Sequence, residues 1–294
     1  MMLDRMEGNA ELKTSVQQML ATRRLTHSVL LVGEAGLGTG FAARCIAADY
    51  LYPAGGAAAE ALLRGECCRA VAKAGKRDSG TVETGIVREA ISVSGMGSGG
   101  KYLVGQVTAM RSEIFNTSLS AEGRAVLLYH VERMNEESAN ALLKVMEEPP
   151  EGVLFLLTAD SLAGVLPTIR SRCVSFAVAP VSPADCTRYC AAQGVDKKTA
   201  ALYSELFDGH IGTVLAVARD EARTAVNMEP NNYAYQNLLD QLQNPGQSYA
   251  GSQQPYAQPS GNPGRFCLSF WLYMMFCQLL SCCCTGRPGG FFFC

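Results

Sequence analysis

The sequence has no appreciable excess of charge of either sign: 25 basic residues stand against 27 acidic ones, a formal net charge of −2. A chain so balanced has no global electrostatic pull toward nucleic acid or an anionic membrane, so a DNA-related role needs a local basic face or a partner that supplies one. An apolar leader is also missing. Met1-Met2-Leu3-Asp4-Arg5 runs into no apolar stretch, so a secretory signal is not expected. A disulfide framework is missing from the body of the chain. Of the 12 cysteines, Cys267, Cys277, Cys282, Cys283, Cys284 and Cys294 crowd beyond Arg265, while Cys45, Cys67, Cys68, Cys173, Cys186 and Cys190 are scattered before it. Scattered thiols read as a cytoplasmic body. With 294 residues, 48% of them hydrophobic, the chain is large enough for two or three domains with their own cores.

What is present is an alternation of short apolar runs and helical periods. Leu12, Val16, Met19 and Leu20 repeat at helical spacing over residues 10–24, closed by Arg23 and Arg24. Ser28–Val32 is a short apolar run halted by glycine, the pattern of a buried parallel strand, and a helix from about Gly40 to Tyr50 follows the turn. Residues 53–101 are rich in alanine and glycine and give little pattern beyond a helix near Ala57–Leu63 and a loop over Ser94–Gly100. Helical spacing returns at Val107, Met110, Ile114 and Phe115. Strands are then expected at Ala125–Tyr129, Val153–Thr158 and Cys173–Phe176. Between them lie a helix over Asn135–Glu147, stopped by Pro149-Pro150, and a helical turn over Val165–Arg170. Strands alternating with helices indicate an α/β fold with a parallel sheet. From Ser182, a cap followed by proline at the first helical position, the pattern is helical to about Ala225.

Two segments show a nucleotide site stripped of its chemistry. Gly33-Glu-Ala-Gly36-Leu-Gly38-Thr39-Gly40 lies between a strand and a helix. A working P-loop reads G-x-x-x-x-G-K-[ST], with glycines letting backbone N–H groups wrap phosphates, a lysine neutralising them and a hydroxyl holding Mg²⁺. Here Gly33 and Gly38 are in register, but Thr39 stands at the lysine position and Gly40 at the hydroxyl position. The second loss is at the strand ending Tyr129-His130-Val131-Glu132. A metal-holding acidic pair belongs at Tyr129 and His130, and Glu132 comes two residues late. His130 reads as a polar strand-end residue rather than a catalyst.

The most specific stretch runs from Met134 through Asn140-Ala-Leu-Leu-Lys144 and Glu147-Glu-Pro-Pro150 to Thr168-Ile-Arg-Ser-Arg-Cys173. At these phrases the chain resembles the delta-prime subunits of bacterial DNA polymerase III clamp loaders, of the AAA+ class, over residues 1–222. The resemblance implies an AAA+ P-loop-type parallel-sheet domain over 1–177 and a small helical lid domain over 178–222, followed by a partly disordered tail. It implies a subunit that does not hydrolyse ATP, working with tau/gamma- and delta-type loader subunits, the sliding clamp and primed DNA. It also implies that Arg172, between Ser171 and Cys173, reaches into a neighbour's ATP site as an arginine finger. Read by itself, Arg172 pairs with a local carboxylate. Thr158 matches a sensor-1 position, with capping of the next turn as its other reading. Gly212 stands where active relatives carry a sensor-2 arginine. The family often carries a four-cysteine zinc module after the P-loop helix, and here only Cys67 and Cys68 stand in that region. No zinc or other metal is therefore expected, and residual nucleotide binding is left open.

Beyond residue 222 the composition departs from that family, which implies a helical collar domain there. Residues 223–243 resemble the end of a tetratricopeptide helix pair, with Tyr235, Leu238, Leu239 and Leu242 on one face. Residues 244–264, of Gly, Pro, Ser, Gln and Tyr, read as a disordered linker. Residues 265–294 form a cysteine-rich apolar tail resembling the end of small J-domain proteins. Its run from Phe266 to Cys284 is short for a membrane span, so membrane contact and an aggregation-prone tail both stand as readings. Two rival functions follow: a membrane-associated co-chaperone-like adaptor acting through the tail, and a fusion product without function. Loss of the collar also implies weak ring assembly.

Overall fold

The computed structural model describes residues 1–22, 27–116 and 123–228. The expectations for Arg23 and Arg24, for the tetratricopeptide-like segment beyond 228, for the linker and for the apolar tail lie outside these residues. Among the described residues no helix is long and apolar enough to cross a membrane.

Helix α1 (Ala10–Ala21) precedes strand β1 (Ser28–Val32), and the glycine turn leads to α2 (Thr39–Leu51) and α3 (Ala57–Leu63). Strands β2 (Cys67–Lys73), β3 (Lys76–Glu83) and β4 (Val87–Ser94) follow, then α4 (Val104–Asn116), β5 (Arg124–Tyr129) and α5 (Glu136–Glu147). Strand β6 (Val153–Ala159), the short α6 (Pro167–Arg170) and β7 (Val174–Ala177) complete the sheet. Its seven strands lie in the order β3-β2-β4-β5-β6-β1-β7. Every pairing is parallel except that of the β2–β3 hairpin. The strand that carries the glycine turn is thus held between β6 and β7, as the AAA+ resemblance implies.

Alternation along the strands feeds two cores, one on each face. Val29 and Leu31 of β1 join Leu154 and Leu156 of β6 on one side, with Ile46 of α2. Leu30, Phe155 and Leu157 point to the other, against Leu142 and Val145 of α5. Each such fully buried aliphatic side chain contributes about 1.5–3 kcal/mol. Helix α5 is held in register from its ends. The Asn135 side chain accepts a hydrogen bond from the Ser138 N–H, and Glu136 and Glu137 occupy the first turn, where the helix dipole favours them.

The lid consists of α7 (Pro183–Ala192), α8 (Lys197–Leu206) and α9 (Ile211–Met228). Ser182 caps α7 and Asp196 caps α8, and Cys186, Cys190, Val195, Ala200, Val214 and Ala218 form the lid core. Helix α9 runs through Met228, so residues 223–228 continue the lid rather than open a separate segment at 223.

Three strands, β2, β3 and β4, went unread in the alanine- and glycine-rich stretch. β3 (KRDSGTVE) has almost no apolar pattern because it is the exposed edge of the sheet. β2 and β4 interleave arginines and serines with their buried residues, so no continuous apolar run marks them. Cys67 and Cys68 are adjacent on β2 and face opposite sides of the sheet, one in each core. Strand geometry therefore keeps them from ligating one ion together. Phe115, read as part of the α4 face, is 56% exposed.

Asp49 of α2 is buried, and its two carboxylate oxygens accept from the backbone N–H groups of Met2 and Leu3, at 2.6 and 2.9 Å. Asp49→Ala is expected to lower the stability of the folded chain by about 2–3 kcal/mol, since it leaves those donors without a partner. Urea denaturation of the two proteins measures this, and equal midpoints would contradict it.

Candidate nucleotide-site remnant and its surroundings

The turn after β1 has the shape of a phosphate cradle. Gly36 and Gly38 hold φ of +92° and +88°, conformations costly for any residue with a Cβ. Gly33 abuts β7, where a Cβ would come 2.8 Å from the Val178 carbonyl oxygen. Thr39 and Gly40 open α2.

The rest of the site has been filled by protein. The N–H of Gly212, at the start of α9, donates to the Gly36 carbonyl over 2.8 Å. Thr213 packs so closely that a Cβ on Gly36 would meet its Oγ1 at 2.0 Å. The lid is therefore fastened to the turn by main chain where a sensor-2 arginine would reach across. On the other side, the Tyr129 ring lies beside Gly40, its Cε1 3.3 Å from where a Cβ would be. A side chain at position 40 would therefore meet that ring. Burial raises the Tyr129 phenol pKa, and the neighbouring Arg44 guanidinium pulls it the other way. Arg44 is itself held by its Nε–H donating to the Leu63 carbonyl at 2.8 Å.

A cleft of about 450 Å³ beside the turn is lined by Gly33, Glu34, Asp160, Asp208 and His210, among others. Three carboxylates and no lysine or arginine are among these lining residues. His210 donates its Nδ1–H to the Phe207 carbonyl at 2.6 Å and turns Nε2 toward Glu34 at 3.5 Å. A triphosphate placed here would face like charge, the reverse of what a phosphate site provides.

Thr158 is buried at the end of β6, and its hydroxyl accepts from the His130 N–H at 3.2 Å. It caps the turn after β5 rather than facing the cleft. His130 itself has φ of +57°, in the left-handed region. Its ring stands between Glu132 and Asp160, with Nδ1 3.4 Å from Glu132 Oε1 and 3.3 Å from Asp160 Oδ1. Sequence reasoning missed Glu34, Asp160, Asp208 and His210 and noted Glu132 only as an acid two residues late. Only the position of Asp160, two residues after Thr158, could have pointed to one of the four.

Arg172 lies away from this cleft, just after α6. Its guanidinium pairs with Glu147 at 2.6 Å and donates to the Thr168 carbonyl at 2.9 Å, and Ser171 Oγ donates to the same carbonyl at 3.2 Å. The local carboxylate partner is therefore real. Burial pushes the Cys173 thiol up to about 12, so it stays protonated at neutral pH and is no nucleophile. The structure thus gathers Gly33, Gly36, Gly38, Thr39, Gly40, Tyr129 and Gly212 around one turn and keeps Ser171, Arg172 and Cys173 apart from it.

A delta-prime subunit of DNA polymerase III from Pseudomonas aeruginosa is 33% identical over 150 residues, 50% of this chain and 42% of that protein. The Bacillus subtilis delta-prime subunit is 28% identical over 160 residues, covering 54% of this chain and 44% of its own. A DNA polymerase III gamma subunit of Buchnera aphidicola (strain APS) is 26% identical over 175 residues, 60% of this chain and 44% of its own. The chain thus spans less than half the length of these relatives. A solved gamma-subunit-related protein from Thermotoga maritima superposes with a TM-score of 0.40 at 16% identity, covering 77% of each chain. A sequence profile described as DNA polymerase III, delta subunit, matches residues 8–182, more than half of the chain and the whole sheet with its glycine turn. The chain belongs to the DNA polymerase III delta subunit family.

Proposed function

We propose that the chain is a subunit of a bacterial clamp loader that does not hydrolyse ATP and acts by completing a neighbour's active site with Arg172. It would work with tau/gamma- and delta-type subunits in the cytoplasm to place the sliding clamp on primed DNA. The observation that carries the first half is the filled site. The Tyr129 ring lies against Gly40, the Gly212 N–H closes on the Gly36 carbonyl, and three carboxylates line the adjoining cleft. Phosphoryl transfer relies on a lysine, a metal and a positioned water, and none has a side chain to hold it at Thr39, Gly40, Tyr129 or His130. The relatives' names and the Thr168–Cys173 phrase support the second half.

The purified chain is expected to hydrolyse ATP no faster than a no-protein control, with or without Mg²⁺. Turnover at ordinary AAA+ rates, lost when Gly38 is replaced by valine, would overturn this reading.

A further inference from the structure

The groups around His130 do more than end a strand. His130 Nδ1 and both carboxylate oxygens of Glu132 are shielded from solvent, and none has a hydrogen-bond partner. The contacts of Nδ1 with Glu132 and Asp160 lie at 3.3–3.4 Å without forming hydrogen bonds. Buried polar atoms are nearly always satisfied, so three orphans in one cluster call for a partner placed among them. An imidazole can donate a single proton from Nδ1, which would serve one carboxylate and leave the others unsatisfied. A cation at the centre would serve all of them.

The spacing fits one kind of cation. The three ligand atoms lie within 4.8 Å of one another. Metal–nitrogen and metal–oxygen bonds of about 2.0–2.1 Å at tetrahedral angles separate neighbouring ligand atoms by about 3.3–3.4 Å. The two Nδ1–oxygen distances have that value. Arg133 adjoins two of the three residues, its Nε 3.7 Å from Glu132 Oε1 without a hydrogen bond. Its Nη2 is 3.9 Å from Asp160 Oδ2, the oxygen turned away from His130, so it orients that carboxylate as an outer partner does. Asp160 also lines the cleft, which leaves a fourth position open toward water.

We propose that His130, Glu132 and Asp160 form a binding site for a Zn²⁺-like divalent transition-metal ion. The site is separate from the lost Mg²⁺ position beside Gly40 and independent of the zinc module that the family's cysteines would build. It departs from the expectation, drawn from the cysteine pattern, that the chain holds no metal.

The test is Co²⁺ titration of the full chain, stripped with chelator and kept reduced. Cysteine-bound Co²⁺ shows strong near-ultraviolet sulfur charge transfer, whereas a site of one imidazole and two carboxylates gives visible d–d bands without it. Wild type is expected to bind one equivalent of the second kind. His130→Gln/Glu132→Gln/Asp160→Asn is expected to lose that equivalent and keep any thiolate signal. Asp160→Asn alone, which spares the core, should weaken binding at least about tenfold, at the low end of metal-site substitutions. Absence of the thiolate-free band in wild type, or its persistence unchanged in both variants, would overturn the site.

Discussion

Arg172→Ala in a reconstituted clamp loader is expected to reduce the ATPase of the adjoining active subunit by about 10³-fold or more, the range seen for arginine fingers supplied in trans. The isolated chain should keep its fold. Both halves follow from where the side chain sits. Arg172 is 36% exposed and its ion pair with Glu147 lies on the surface. Such pairs contribute about 0–1 kcal/mol, so turning outward to a neighbour's γ-phosphate costs little and truncation removes little stability. A guanidinium delivered to that phosphate meets charge in a dry site, where it is worth far more. Two further variants separate the finger from a merely local role. Glu147→Ala breaks the same ion pair and should leave the neighbour's ATPase within about fivefold, since the pair is worth at most about 1 kcal/mol. Arg172→Lys keeps the charge but lacks the planar fork, and should recover only a small part of the rate. If Arg172→Ala leaves the rate of an assembled complex unchanged, or if Glu147→Ala matches its effect, the finger is wrong.

The second large effect is expected in alkali. Cys45 and Cys173 have thiols pushed up from 9.0 to about 12 by burial. Below pH 9 both thiols are protonated in the folded and unfolded chain alike, and the full stability is present. As pH rises, the unfolded chain releases these protons first and binds fewer than the folded chain, so stability falls until the folded thiols titrate near pH 12. Two such thiols should cost about 2 kcal/mol between pH 9 and 10 and about 4–5 kcal/mol by pH 11. Native proteins have only about 5–15 kcal/mol in total, so this loss is about a third or more of the whole. Tyr50, Tyr129 and Tyr189 are raised by burial as well, but their ordinary value is 10.0, so each adds only a few tenths of a kcal/mol between pH 9 and 10, where the thiols dominate. Denaturant titrations under reducing conditions should show Cys45→Ala/Cys173→Ala less stable overall and distinctly less steep across that window, the remaining slope coming from the buried thiols of Cys67 and Cys190. A variant as steep as wild type would remove burial of these thiols as the cause.

How far the sequence could be read depended on what marked each element. β1, β5 and β6 are buried on both faces and appear as unbroken apolar runs, and all were placed within a residue or two. α5 announced itself through Asn135, Glu136 and Pro149. β2, β3 and β4 carry Arg69, Arg77, Arg88 and Glu89 among short apolar residues, so no continuous apolar run marks them. Their pattern does not rise above that of a loop. At the site, the missing lysine and carboxylates were legible as absences. What replaced them was not, since nothing in the letter Y at 129 or G at 212 says that one lies against Gly40 and the other binds Gly36. The cluster of His130, Glu132 and Asp160 was hidden for a plainer reason: it joins residues from the ends of two strands.

The contacts around Gly40 and Gly212 also govern which way this site can change. Restoring a lysine at Thr39 would not restore a nucleotide site. A serine at Gly40 would press its Cβ against the Tyr129 ring at 3.3 Å, and an arginine at Gly212 would place its Cβ 2.8 Å from the Gly36 carbonyl. An aspartate at Tyr129 alone would set a carboxylate in the cavity left by a buried ring, with no metal yet held there to repay its desolvation. Each such change is unfavourable until the others have been made, so single steps toward a P-loop pattern at Gly40, Tyr129 or Gly212 cost stability.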